Sequence, residues 1–296
     1  MAALIIMVCV VGNLIGCNNA DAVSTQKIMQ ALVEENEAAR TSSATEQDNT
    51  TLDGTITMAG STSMERFANA LAESFMLKYP GVTVTVEFMG SSAGIESVLA
   101  GSVDIGNSSR ALKEEEKFSG AVENVVAIDV IAVITDTSNV ITELSTEQLI
   151  GIYKGEIRNW IEAGGDDMPI VVVGREAGSG TRDVFEELLD IKDMCAYANE
   201  LNSVGAVMAR VASTPGAIGY VSLDVLGDTV QTITLDGIEP TEENIKAGRY
   251  LLGRPFVMAT NGEIETQSKT VQEMFAYLKS EEGQELIKAV GLVVPD

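Results

Sequence analysis

Three near-continuous apolar runs, VVAIDVIAVIT (125–135), IVVVG (170–174) and AIGYVSL (217–223), restrict what this chain can fold into. Runs of this length, rich in β-branched residues, read as strands covered on both faces, because a strand with one face in water alternates apolar and polar residues. VTVTVEFMG (82–90) does alternate with period two and is expected as a half-exposed strand. RPFVMAT (254–260) also reads as a strand, and its proline suits a sheet edge, where the missing N–H costs nothing. Segments with helical spacing separate these runs. In MERFANALAESFMLKYP, Met64, Phe67, Leu71 and Phe75 share one face and Pro80 follows the end. STEQLIGIYKG places Ser145 three residues before Gln148, a capping-box spacing, and TVQEMFAYLKSEEGQELIKAVG offers two short helices. From Gly54 onward the order is that of an α/β protein.

The turns between these elements repeat one theme. VVVGREAGSGTRDVFEELLD (171–190) passes from a strand through Gly178, Ser179 and Gly180 into an amphipathic segment, with Arg175 and Arg182 on either side. Such a turn offers an anion free backbone N–H groups and about half a positive charge from the helix dipole. Three other segments share the grammar: GSTSMERF with Ser61, Thr62 and Ser63; GSSAGIESVLAG with Ser91 and Ser92; and DIGNSSRALKEEE with Ser108, Ser109 and Arg110. Any one of these serines is explained by capping of its own helix. Four helix starts in one chain can instead converge, surrounding a tetrahedral oxyanion with neutral donors and one or two guanidinium forks.

Catalytic uses of the same turns fail on residue type. No lysine follows the glycines, as a nucleotide P-loop requires, and GREAGSG has the wrong spacing for a dinucleotide fingerprint. AGSGT is not a hydrolase elbow, and a chain without histidine cannot build the usual triad. Histidine is also the commonest metal ligand, and the three cysteines, Cys9, Cys17 and Cys195, include no close pair. No metal or cofactor is called for. The chain is therefore expected to bind rather than to catalyse. A net charge of -25 argues against nucleic acid and means that an anion site must be electropositive locally.

Residues 1–16, MAALIIMVCVVGNLIG, are apolar but short for a membrane span, and read as a signal peptide without its basic start. LIGC ending at Cys17 resembles the lipobox of bacterial lipoproteins, which implies cleavage before Cys17 and acylation of its thiol. Acyl chains would hold the protein at a membrane outside the cytoplasm without spanning it. Residues 17–53 are polar and expected as a flexible tether. Cys195 is then the one free thiol, a small packed hydrophobe whose neighbours Asp193 and Glu200 would raise its pKa.

GSTS, GSSAG, VDIGNSSR, W-x-x-x-GG leading into PIVVVGREAGSGTRDVFEE, and GQELIKAVGLVVP occur in the order shown by the substrate-binding proteins of bacterial phosphate ABC transporters. The resemblance covers about residues 54–296, and REAGSGTR is its most specific part. It implies a two-lobed α/β fold of the periplasmic-binding-protein type, class II, with inorganic phosphate in the interlobe cleft and delivery to membrane permease subunits. It assigns phosphate contacts to Thr62, Ser63, Ser91, Ser109, Arg175, Ser179, Gly180 and Thr181. One lobe is expected to hold 54–134 plus 253–296, and the other 135–252. Some members of that family carry an aspartate where this chain has Ser109. A serine rejects fully ionised sulfate less decisively than a carboxylate would, unless Glu176 or Asp183 supplies the acceptor. A receptor for sulfate, molybdate or tungstate, a phosphate sensor, and an enzyme acting on phosphate esters are the competing expectations.

Overall fold

The structure, a computed structural model, describes residues 52–295; the signal segment, Cys17 and the tether as far as residue 51 lie outside them. The folded body begins slightly earlier than expected, since Leu52 packs on the first core and Asp53 opens the first strand. In chain order the strands are β1 (Asp53–Gly60), β2 (Gly81–Phe88), β3 (Ile105–Ser108), β4 (Ala121–Val122), β5 (Val125–Asp136), β6 (Glu143–Leu144), β7 (Val171–Arg175), β8 (Asn199–Leu201), β9 (Ala217–Ser222), β10 (Val230–Leu235) and β11 (Gly253–Asn261). They join in the order β2-β1-β3-β11-β5-β9-β7-β8, with β10 on β5, β6 on β10 and β4 on β11. Pairing is parallel within β2-β1-β3 and within β9-β7-β8, and antiparallel wherever β5 or β11 takes part.

Strand β5 belongs to both halves. Val126 and Ala127 enter a first core with Ile56, Phe67 and Met258, whereas Val130, Ile131 and Val133 enter a second with Trp160, Phe185 and Tyr220. The first core is closed by the helices Glu65–Lys78, Lys269–Lys279 and Glu281–Ala289. Phe67, Leu71 and Phe75 lie fully buried on the first of these, each contributing about 1.5–3 kcal/mol by leaving water. Ser280 splits the last two helices by capping the second through Gly283 N–H. The capping box at Ser145 is formed on both sides, at 3.1 Å and 2.9 Å, and starts the helix Thr146–Tyr153.

Two details place the site. Helix Ser91–Leu99 lies unusually close to the sheet, because a Cβ at Gly94 would stand 2.6 Å from the Ala59 carbonyl oxygen. That approach brings Ser91 beside the end of β3. The second detail corrects the expectation that Pro255 marks a sheet edge. Strand β11 is interior, flanked by β3 and β5. Pro255 is tolerated because it faces Ile128 in a non-hydrogen-bonded pair, Ile128 spending its own N–H and C=O on Val293, while pairing with β3 begins only at Val257.

Candidate anion-binding site

The serines of these loops first serve their own segments. Ser61 caps the turn Thr62–Met64 by accepting from Ser63 N–H at 3.2 Å, and the helix Glu65–Lys78 follows. Ser179 caps the helix Gly180–Leu188 through Arg182 N–H at 3.4 Å. Helix Ser91–Leu99 is different: its N-cap is Gly90, which leaves the Ser91 hydroxyl free for other partners. The fourth segment is not a helix start, contrary to expectation. Ser109 follows directly on β3, and the short acidic helix begins only at Glu114, where Lys113 N–H bonds to Glu116 at 2.7 Å. The intervening chain is drawn away by Arg110, which bonds both Glu116 oxygens at 2.6 and 2.8 Å and pairs with Asp183 at 3.0 Å.

The four loops nevertheless meet. Ser63 and Thr181 hydroxyls lie 2.7 Å apart across 118 residues of sequence. Ser61 donates to Ser109 Oγ at 2.8 Å, Ser91 and Ser109 hydroxyls are 3.3 Å apart, and Ser109 N–H donates to Ser91 Oγ at 3.1 Å. Ser92 N–H reaches the Gly178 carbonyl at 3.1 Å. Gly180 completes the contact, for a Cβ there would stand 2.3 Å from Ser91 Oγ and 2.9 Å from Ser109 Oγ. All these hydroxyls are buried, and the partners that they now give one another can be exchanged for anion oxygens by rotating O–H bonds. Thr62 Oγ1 is buried without a hydrogen-bond partner.

The arginines divide by how they are neutralised. Arg182 is neutralised by Glu186 and Glu200, at 2.8 and 2.7 Å, and also donates to the Arg175 carbonyl at 3.0 Å. Arg110 is held by Glu116 and Asp183, so Asp183 is not a spare acceptor. Arg175 is 1% exposed and donates to the carbonyls of Leu201 and Asn202, each at 3.2 Å. Burial lowers its pKa to about 10, and the charge of Arg254 works in the same direction against Tyr220. A buried guanidinium held by carbonyls alone is an electropositive centre in an acidic protein. Glu176 acts on it only through charge.

Arg254 was not anticipated as a site residue. Its Nε and Nη2 sit 2.8 and 2.7 Å from Asp129 Oδ2, while Nη1 donates to Thr181 Oγ1 at 2.7 Å. A signal was available: Arg254 and Asp129 are opposite charges set in apolar strand runs, and buried charges of that kind must pair. Asp224 lies beside them, 5% exposed, with both carboxylate oxygens unpartnered. Burial and then the charge of Asp129 raise its pKa to about 7, against the nearby Ser222 hydroxyl, which is spent on Asp129, and the charges of Arg66 and Arg254.

A pKa raised in this way has a stability consequence. Between the unfolded value of 3.8 and about 7 the folded state binds the extra proton, so stability falls as pH rises through that window. Asp224→Asn is expected to gain about 2–3 kcal/mol on the wild type between pH 5 and pH 7. Urea unfolding at the two pH values measures it, and an unchanged difference would count against a protonated Asp224.

Cys195 is half-buried, and burial raises its thiol to about 11; the acidic neighbour that adds to this is Glu186 rather than Asp193 or Glu200. Among the described residues no group of acidic, histidine or cysteine side chains could hold a metal ion, and no helix is long and apolar enough to cross a membrane.

A mixed α/β fold with donor-rich loops brought together, one of them entered from a strand that ends at a buried arginine, is the arrangement of a solute-binding protein, and comparison with known proteins agrees. Residues 41–282 match the profile of the PBP superfamily domain. The chain is 34% identical over 238 residues to the phosphate-binding protein PstS of Bacillus subtilis, covering 79% of this chain and 78% of that one. A crystal structure described as a phosphate ABC transporter substrate-binding protein with bound phosphate, from Clostridium perfringens, aligns with TM-score 0.79 and 37% identity over 82% of this chain and 100% of that one. An ABC-type phosphate transport receptor from Vibrio cholerae aligns with TM-score 0.68 and 36% identity, over 81% and 100%. The chain belongs to the PBP superfamily and, within it, to the PstS phosphate-binding family.

Proposed function

We propose that this chain binds inorganic phosphate outside the cytoplasm and delivers it to the permease of an ABC transporter for import. The observation that carries this is the meeting of the Ser63, Ser91, Ser109 and Thr181 hydroxyls from four loops, with the buried cation of Arg175 ending the strand that leads into the loop 179–181. Phosphate would take its contacts from Thr62, Ser63, Ser91, Ser109, Arg175, Ser179, Gly180 and Thr181. The chain acts as a carrier and not as an enzyme. Residues 54–134 with 253–296 would form one lobe and 135–252 the other; the membership of β5 in both cores supports a crossing on this strand, the change of core falling between Ala127 and Val130. Phosphate contacted from both lobes would favour their closure by hinge motion, the closed form being the one presented to the permease. Acylation of Cys17 would tether the protein to the membrane.

Calorimetric titration of the protein, stripped of co-purified ligand, with phosphate and then sulfate at neutral pH tests this. Micromolar or tighter phosphate binding with sulfate silent is the expected result. Among the described residues no carboxylate hydrogen-bonds to Ser109, and that observation favours a broader oxyanion receptor as the second reading. Equal binding of sulfate would establish it, and binding of neither would overturn both.

A further inference from the structure

We propose that Arg254 is a positioning residue for the anion, acting through Thr181 by fixing the direction in which that hydroxyl points its proton. The role rests on phosphate occupying the site between the four loops. Arg254 stands opposite Asp129 in the β11–β5 ladder, and both residues are 2% exposed. The same Asp129 oxygen, Oδ2, also accepts from the Ser222 hydroxyl at 2.6 Å. With Nε and Nη2 on that carboxylate, the guanidinium has its Nη1 edge left to project, and this edge meets Thr181 Oγ1 at 2.7 Å and the Ser109 carbonyl at 3.4 Å.

The chemistry of the two groups sets the polarity. A guanidinium has donors and no acceptor, so Thr181 Oγ1 must accept from Arg254 and its own proton must go elsewhere. In this structure that proton has Ser63 Oγ, 2.7 Å away, as its neighbour. With phosphate bound, the same proton is directed at an anion oxygen. Without Arg254 the hydroxyl is free to rotate, and binding must then meet the cost of fixing its proton on the anion. Asp129 and Ser222 thus act at one remove, holding Arg254 so that Thr181 is a donor before the ligand arrives.

A double-mutant cycle on phosphate affinity, read by calorimetry on the whole protein, tests the role. Thr181→Val removes the hydroxyl with little change of shape, and Arg254→Gln removes the guanidinium. Each is expected to weaken binding about 10- to 100-fold, the range for a hydrogen bond to a charged group. The double variant should bind no more weakly than the worse single, since Arg254 has nothing to orient once the hydroxyl is gone. In a Thr181→Ser background, which keeps the hydroxyl, Arg254→Gln should cost its full factor; a purely structural arginine would show no such dependence on residue 181. Losses that multiply in the double variant would overturn the proposal. If Arg254→Gln lacks a native circular dichroism spectrum, Arg254→Lys, which keeps the charge facing Asp129 but not the fork, carries the same cycle. Phosphate binding absent from the wild type would instead remove the site itself.

Discussion

Arg175→Ala is expected to weaken phosphate binding by about 30-fold to several thousand-fold, the equivalent of roughly 2–5 kcal/mol for a buried charge-assisted contact. The side chain is held in place by two backbone carbonyls and its charge is already destabilised by burial and by Arg254. An anion therefore relieves a cost that the ligand-free protein bears, and part of the binding energy comes from that relief. The same reasoning predicts an asymmetry in stability. The ligand-free variant should melt close to the wild type, because the loss of an uncompensated cation offsets the loss of its two hydrogen bonds. The rise in melting temperature on adding phosphate should nearly vanish. Arg175→Lys should fall between, keeping a charge but losing the planar fork. Binding within threefold of wild type in the alanine variant would remove Arg175 from the site.

Gly180→Ala should be nearly as damaging, although it deletes nothing. The backbone of Gly180 is not left-handed, so alanine meets no conformational penalty; the obstacle is contact. The added methyl falls 2.3 Å from Ser91 Oγ and 3.0 Å from Ser91 Cβ. Ser91 cannot back away easily, since its helix is already pressed onto β1 at Gly94. The loops must part instead, and overpacking of this kind costs about 1–3 kcal/mol. Calorimetry should show phosphate affinity falling by about 10- to 100-fold with a lowered melting temperature, a conversion of the same energy. A variant with unchanged affinity would mean that the loops separate freely and that their contact does not shape the site.

Much of the fold was legible because the core is built from runs long enough to show a period. VTVTVEF became β2 and VVAIDVIAVIT became β5 with little shift of boundary, and the capping box at Ser145 announced its helix. Legibility failed where a local rule was overridden by a distant partner. Pro255 resembled an edge residue, yet β11 runs through the sheet's interior and spares the proline only by its place in the ladder. The segment after Ser109 had the composition of a helix start, but Arg110 is drawn to Glu116 and Asp183. The candidate loops could be picked out by their glycine and serine content. The Ser63–Thr181 contact could not, because nothing in either loop specifies the other. Arg254 was hidden for a similar reason: its charge has meaning only opposite Asp129.

The placement of β11 also governs the order in which the molecule can be completed. The core around β1 and β2 takes Phe256 and Met258 from β11, and Val271, Met274, Phe275, Leu286 and Ile287 from the two last helices. The second core draws on one uninterrupted stretch from Val130 to Leu252. A chain that emerges N-terminus first can thus assemble its middle while its beginning still lacks its cover. The first third can pair β1 with β2 and β3 but must wait, its apolar face uncovered, for the final forty or so residues, so long-range closure sets the pace of maturation. Loss of the C-terminal helices would consequently strike the start of the protein, far away in sequence, before it touched the middle.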